Sequence, residues 1–128
     1  MEVANKMKFT KENVNPKKLK TGDCTIRALA KGLNKSWETI VTDLFNLSLK
    51  TKYYCCFELY NEYLKDYKLI TPKVIKGKKR LRVKDYKDGT YILRTAHHLT
   101  TVINNVNYDT WDNRERCVYR AWKIEVEQ

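Results

Sequence analysis

His98-Leu99-Thr100-Thr101-Val102-Ile103-Asn104-Asn105-Val106-Asn107-Tyr108-Asp109-Thr110-Trp111 reads as two strand-forming runs folded about Asn104-Asn105. β-branched and aromatic residues fill the runs, and adjacent asparagines tolerate the left-handed backbone that a two-residue hairpin turn demands. His98 lies six positions before Asn104 and Asp109 four after Asn105. A hairpin therefore sets them within about two residues of each other, as cross-strand or diagonal neighbours. Thr90 to Thr95 and Cys117 to Val126 have the same strand character, so the back third of the chain predicts an antiparallel sheet.

The front predicts helices. In Thr21-Gly22-Asp23-Cys24-Thr25-Ile26-Arg27-Ala28-Leu29-Ala30, the residues Ile26, Leu29, Ala30 and Leu33 recur at i, i+3, i+4 and i+7. That spacing makes one apolar stripe and leaves Arg27 and Lys31 for solvent. Asp23 or Thr21 is the candidate N-cap, and Gly22 permits a tight approach to the first turn. Trp37, Ile40, Val41, Leu44 and Phe45 form a second stripe behind the cap-like Ser36. Phe57, Tyr60, Leu64 and Tyr67 form a third within Tyr53 to Tyr67, and Thr71-Pro72 ends it. Leu81-Arg82-Val83 suits a short edge strand or the start of a helical turn. The expectation is an α+β fold with N-terminal helices packed on a C-terminal antiparallel sheet.

A cysteine in the first turn of a helix, a histidine opening a strand and an acid on the next strand are the parts of a thiol nucleophile site. Cysteine attacks as thiolate, and a helix N-terminus with an imidazole beside it favours that form. A carboxylate on the far ring nitrogen holds the imidazole in one tautomer and orientation. Cys24, His98 and Asp109 are the candidates, with the backbone N–H groups near Gly22 and Asp23 free to face a substrate carbonyl. His97 competes with His98, though strand alternation allows only one to face the site, and Asp112 competes with Asp109. Ordinary structural roles compete too: a small buried thiol for Cys24, and core packing for Trp111 and Trp122.

These residues resemble the papain-like cysteine peptidase clan in kind and in order. The Cys heads a helix, the His leads a hydrophobic strand, and Asp109-Thr110-Trp111 stands where that clan has Asn-Ser-Trp. The closest likeness is to small phage-encoded and prophage-encoded members with Gly-Asp-Cys near the front and Asp-Thr-Trp-Asp near the end. It extends from Thr21 to Trp122. Gly-Asp-Cys-Thr-Ile-Arg-Ala-Leu is also similar to the nucleophile segment of ovarian-tumour-type deubiquitinases, and double-glycine peptidases share the Cys, His, Asp order.

The resemblance implies a compact papain-like domain of phage or prophage origin, with Cys24 as nucleophile, His98 as general base and acid, and Asp109 as its orienting partner. It makes Trp111 the shield of the His98–Asp109 hydrogen bond. Its glutamine oxyanion donor, a few residues before the cysteine, is replaced here by Lys18-Leu19-Lys20. Asn15 or Asn13 is the candidate substitute, or backbone N–H groups alone. Loss of one such donor costs about two to three decades of rate.

Length and composition bound the rest. A chain of 128 residues suits one domain, expected over 21–128 behind a basic segment, 1–20, whose front is expected to be mobile. The four cysteines, Cys24, Cys55, Cys56 and Cys117, show no disulfide framework and no metal-binding spacing, so neither metal nor cofactor is expected. Met1 to Lys6 has no apolar run of signal-peptide kind, and nothing approaches membrane-spanning length. The expected location is cytoplasmic, the host's if the chain is phage-encoded.

The net charge of +11 is concentrated: residues 1–20 carry six lysines against two acids and residues 65–88 ten Lys or Arg against three. Lys76, Lys78, Lys79, Arg80, Arg82 and Lys84 are the densest run, suited to phosphates, to an acidic host protein, or to nothing but solvent. Two functions are therefore expected to compete. One is a cytoplasmic thiol hydrolase, a peptidase or isopeptidase with a protein or peptide substrate. The other is an inactive basic binding protein on the same scaffold, engaging nucleic acid or a host protein.

Overall fold

The computed structural model describes residues 5–54, 56–70 and 80–125. It is an α+β fold in which three helices pack on a six-stranded mixed sheet. The helices are α1 (Cys24–Leu33), α2 (Trp37–Thr51) and α3 (Cys56–Tyr63). The strands are β1 (Lys8–Lys11), β2 (Lys68–Ile70), β3 (Thr90–Thr95), β4 (His98–Ile103), β5 (Val106–Asp109) and β6 (Arg120–Ile124), in the spatial order β1-β5-β4-β3-β6-β2. Every pairing is antiparallel except β1 with β5, which is parallel. The expected all-antiparallel C-terminal sheet is thus corrected at both edges: β1 and β2 come from earlier in the chain. Lys8–Lys11, inside the segment expected to be mobile, is an edge strand whose lysines discourage pairing with a further strand.

The central hairpins follow from their turns. Asn104 and Asn105 have φ of 46° and 66°, the pair of left-handed residues that matches strand twist, and they set Ile103 opposite Val106. The β3–β4 turn is Ala96-His97, with His97 at φ 56° and Thr95 opposite His98. His97 is exposed in that turn. Turn geometry, rather than alternation along a strand, separates the two histidines.

Alternation along the strands divides the core. Ile92, Leu99 and Trp122 face the helices with Leu29, Ile40 and Leu64, while Leu93, Val102 and Ala121 face the other side with Met7, Val83 and Val118. The final strand begins at Arg120, later than its composition suggests. Residues 112–119 instead close that second face, where Asn113 and Val118 are fully buried. Val83–Asp85 is a single turn of 3-10 helix, preceded by an isolated bridge from Arg82 to Cys117.

α1 lies very close to the sheet. A Cβ on Gly32 would sit 2.7 Å from Cγ1 of Ile92, so only glycine allows this separation. Thr101 reinforces the contact by donating its hydroxyl to the Ala28 carbonyl at 2.8 Å. The second stripe is only half used: Ile40 and Leu44 are buried, but Phe45 and Leu49 stay exposed. Ser36 caps α2 as expected, accepting the Thr39 N–H at 3.0 Å.

Candidate active site

Close packing of α1 on β4 carries Cys24, in the first helical turn, to the beginning of the strand that His98 opens. The β4–β5 register pairs Thr101 with Tyr108, so its continuation puts Asp109 opposite Thr100 and diagonal to His98. His98, Thr100 and Asp109 share one face. His98 Nε2 and Asp109 Oδ2 are 2.8 Å apart, and Cys24 lines the same cleft as this imidazole. With Nε2 engaged by the carboxylate, Nδ1 is the nitrogen left for sulfur.

The electrostatics follow from burial and these bonds. Burial disfavours a charged Cys24, but hydrogen bonds from His98 and from the Leu99 amide outweigh it and hold the thiol below its ordinary value. Burial likewise opposes an imidazolium at His98, yet bonds to Asp109 and Cys24 carry its pKa up to about 9. Asp109 is pushed up by burial and pulled down further by His98 and Thr100, so it stays ionised.

Asp109 is saturated with donors. Oδ2 accepts from Thr100 Oγ1 at 2.6 Å and Asn113 Nδ2 at 2.9 Å besides His98, and Oδ1 accepts from the Thr110 amide at 2.6 Å. Asn107, fully buried, fastens this shell: its Nδ2 donates to Thr100 Oγ1 and its Oδ1 accepts the Asn113 amide. Arg27 completes it, with Nη1 3.3 Å from Asp109 Oδ1 and Nε 2.9 Å from Asp23 Oδ1. Arg27 is therefore not the solvent-facing residue its helical position suggests. Its side chain is 12% exposed and ties the start of α1 to the histidine's acid.

Asp23 occupies the N-cap position without capping by its side chain. Its carboxylate turns inward to Arg27, to Trp37 Nε1 at 2.9 Å and to Asn15 Nδ2 at 3.1 Å. Burial raises its pKa, but the bonds from Trp37, Asn15 and Arg27 prevail and keep it low. The first-turn amides of α1 are thus left without an intrahelical acceptor or an Asp23 cap, beside the thiol. Gly22 has open space around it. Asn15, the candidate oxyanion donor, is buried and holds Asp23 instead, while Asn13 donates to the Leu19 carbonyl. Both amides serve the loop.

Trp111 lies against His98, ring centroids 4.9 Å apart, with its outer face exposed and Arg116 above it. Asp112 is bound to Arg114 on the surface and does not reach the histidine network. A cleft of about 290 Å³ opens over Cys24 and His98, walled by Phe57, Tyr60, Arg94 and His97. Of the basic run, Arg82 and Lys84 share the Glu115 carboxylate and Arg80 lies over Tyr119. Lys76, Lys78 and Lys79 fall outside the described residues.

Residues that sequence reasoning missed are the supports: Arg27, Trp37, Thr100, Asn107 and Asn113. Two had a legible signal. Arg27 follows Asp23 at the i, i+4 spacing of a helical ion pair, and Asn107 precedes Asp109 by two on one strand. Among the described residues, no group of three His, Cys, Asp or Glu side chains is placed to hold a metal ion, and no helix is long and apolar enough to cross a membrane. No protein-family model, no curated protein and no solved structure matches the chain.

Proposed function

We propose that the chain is a thiol hydrolase of peptide or isopeptide bonds, built on the papain-like plan its sequence resembles. The observation that carries this reading is the His98 imidazole, bonded through Nε2 to Asp109 at 2.8 Å and lining one cleft with Cys24. In this reading the thiol proton resides on His98, leaving a thiolate–imidazolium pair. The Cys24 sulfur attacks a carbonyl carbon, and first-turn amides of α1 stabilise the oxyanion. As the C–N bond breaks, His98 gives its proton to the leaving amine. His98 then takes a proton from water, the hydroxide attacks the thioester, and the carboxylic acid leaves as the C–S bond breaks, which restores the thiolate–imidazolium pair.

A second reading, a binding protein on the same scaffold without turnover, is favoured by one observation: Asn15 is committed to Asp23 and Asn13 to the Leu19 carbonyl, so neither candidate amide is free to serve as oxyanion donor. Alkylation by iodoacetamide, followed by mass spectrometry against pH, tests the shared premise. Cys24 is expected to react at least tenfold faster than Cys117, also a free and partly exposed thiol, near pH 6. Equal rates would sink the activated thiol. Rapid alkylation without trapping of an acyl-enzyme from peptide thioesters would favour the binding protein.

A further inference from the structure

Beside the thiol–imidazole site lies a second, larger cleft of about 580 Å³, which the proposed chemistry does not use. It borders the site through Arg27, which bonds Asp109, and through Trp111, which lies on His98. Its rim carries Lys11, Lys18 and Lys20, all exposed. None of the three forms an ion pair with a carboxylate among the described residues, whereas the cleft's own acid, Glu12, is neutralised by Lys31 at 2.9 Å and Arg27 by two aspartates. The uncompensated charge of the cleft is therefore that of three lysines.

This wall is built. Asn13 Nδ2 donates to the Leu19 carbonyl at 3.1 Å, the Lys18 amide to the Asn15 carbonyl at 2.8 Å and the Lys17 amide to Asn15 Oδ1 at 2.9 Å. Asn15, 4% exposed, anchors the loop to Asp23. Lys18 itself has φ 56°, a left-handed conformation held by those bonds. The apolar surfaces of Leu19 and Trp111, 50% and 42% exposed, line the same cleft as the lysines. Cations and apolar surface in one cleft, with the Lys18 ammonium held by the Asn13 carbonyl at 2.7 Å, suit a polypeptide, whose carboxylates and aliphatic stems alternate on that scale.

We infer that this cleft receives an acidic segment of the polypeptide whose scissile carbonyl is presented to Cys24. The inference rests on the thiol-hydrolase reading for its chemistry and supplies the substrate class: a protein or peptide carrying Glu or Asp close to the cleaved bond. Electrostatic attraction to the lysines speeds its arrival and sets its register beside the thiolate.

The test uses the full chain and a fluorescein-labelled decapeptide of alternating Glu and Ala, with the matching Gln and Ala peptide for comparison. Binding is read by anisotropy at low salt, and occupancy near Cys24 by protection from a bulky maleimide. Lys18→Gln with Lys20→Gln is expected to weaken binding of the acidic peptide about tenfold and to abolish protection. Lys50→Gln with Lys87→Gln removes the same charge away from the cleft and is expected to change binding less than about twofold. Lys50→Gln with Lys87→Gln should keep the wild-type melting temperature and the unprotected alkylation rate of Cys24, and Lys18→Gln with Lys20→Gln, which also loses the Lys18 Nζ bond to the Asn13 carbonyl, should stay folded by circular dichroism. Equal weakening by the two double variants, or equal binding of the Gln peptide, would overturn the inference. So would tighter binding of an oligothymidylate that depends on Lys18 and Lys20, which would assign the cleft to nucleic acid. Slow alkylation of Cys24 in the unmodified chain fails the hydrolase reading alone, and lysine-dependent peptide binding then still decides what the cleft takes.

Discussion

Arg27 shows how one residue can have a legible position and a hidden role. A helical wheel puts it across from Leu29, at the edge of the apolar stripe and on the face left for water. Its guanidinium reaches Asp23 and Asp109 instead, because α1 starts where β5 ends and two buried carboxylates need a cation there. Replacing Arg27 by Met would strand both. Breaking a buried pair by removing one partner typically costs about 3 to 5 kcal/mol, so a loss of about 3 kcal/mol in urea unfolding is expected. Alkylation of Cys24 near pH 6 should slow as well, since Asp109 is held partly through Arg27. Unchanged stability would mean that solvent, rather than Arg27, compensates the two acids. Asn15 teaches the same point from the other side. Its type suits an oxyanion donor, but the loop bends so that its amide meets Asp23, and sequence carries no record of that bend.

At the scale of elements, turn chemistry was the most readable signal. Asn104-Asn105 specified a hairpin and set His98 and Asp109 within about two residues of each other, and the structure's register delivers Asp109 to the diagonal of His98. Edge strands were the least readable. Lys8–Lys11 contains one apolar residue, Phe9, and its partner β5 is nearly a hundred residues away. A short polar edge strand owes its form to the neighbour's backbone, which no local pattern records. α1 depends on Gly32 in a way a helix pattern also conceals, since glycine there is intrinsically unfavourable. Gly32→Ala gains about 1 kcal/mol of helix propensity but drives a methyl into Ile92, and overpacking of this kind costs about 1 to 3 kcal/mol. The expected outcome is a lower denaturation midpoint together with slower alkylation of Cys24, as α1 lifts from β4. A variant more stable than the wild type would show that Ile92 yields without cost.

For the whole molecule, pH separates the site's two protonation events. His98 has its pKa raised to about 9, so the stability it contributes is complete below its unfolded value near 6.5 and is lost as pH rises through about 9. Asp23 and Asp109 are shifted down, so their contribution is complete above the unfolded carboxylate range and is lost as pH falls through their lowered values. Melting temperature is expected to be highest between these limits and to fall on both sides. In the proposed hydrolase reading, turnover should decline above pH 9 as His98 loses the proton owed to the leaving amine, while alkylation of Cys24, which needs only thiolate, should not. A parallel decline of both would show that the fold, rather than the imidazolium, limits activity. Sequence by itself determined the three helices, the Asn104-Asn105 hairpin and the ordering of Cys24, His98 and Asp109, because helix period, strand period and turn preference are local. Only the tertiary structure decided that Arg27 points inward, that Asn15 holds Asp23, that Thr100, Asn107 and Asn113 enclose Asp109, and that β1 runs parallel to β5. Arg27 and Asp109 are 82 residues apart and β1 and β5 lie at opposite ends of the chain, while the nearer polar partners meet through loop bends, and burial is known only once the layers have closed.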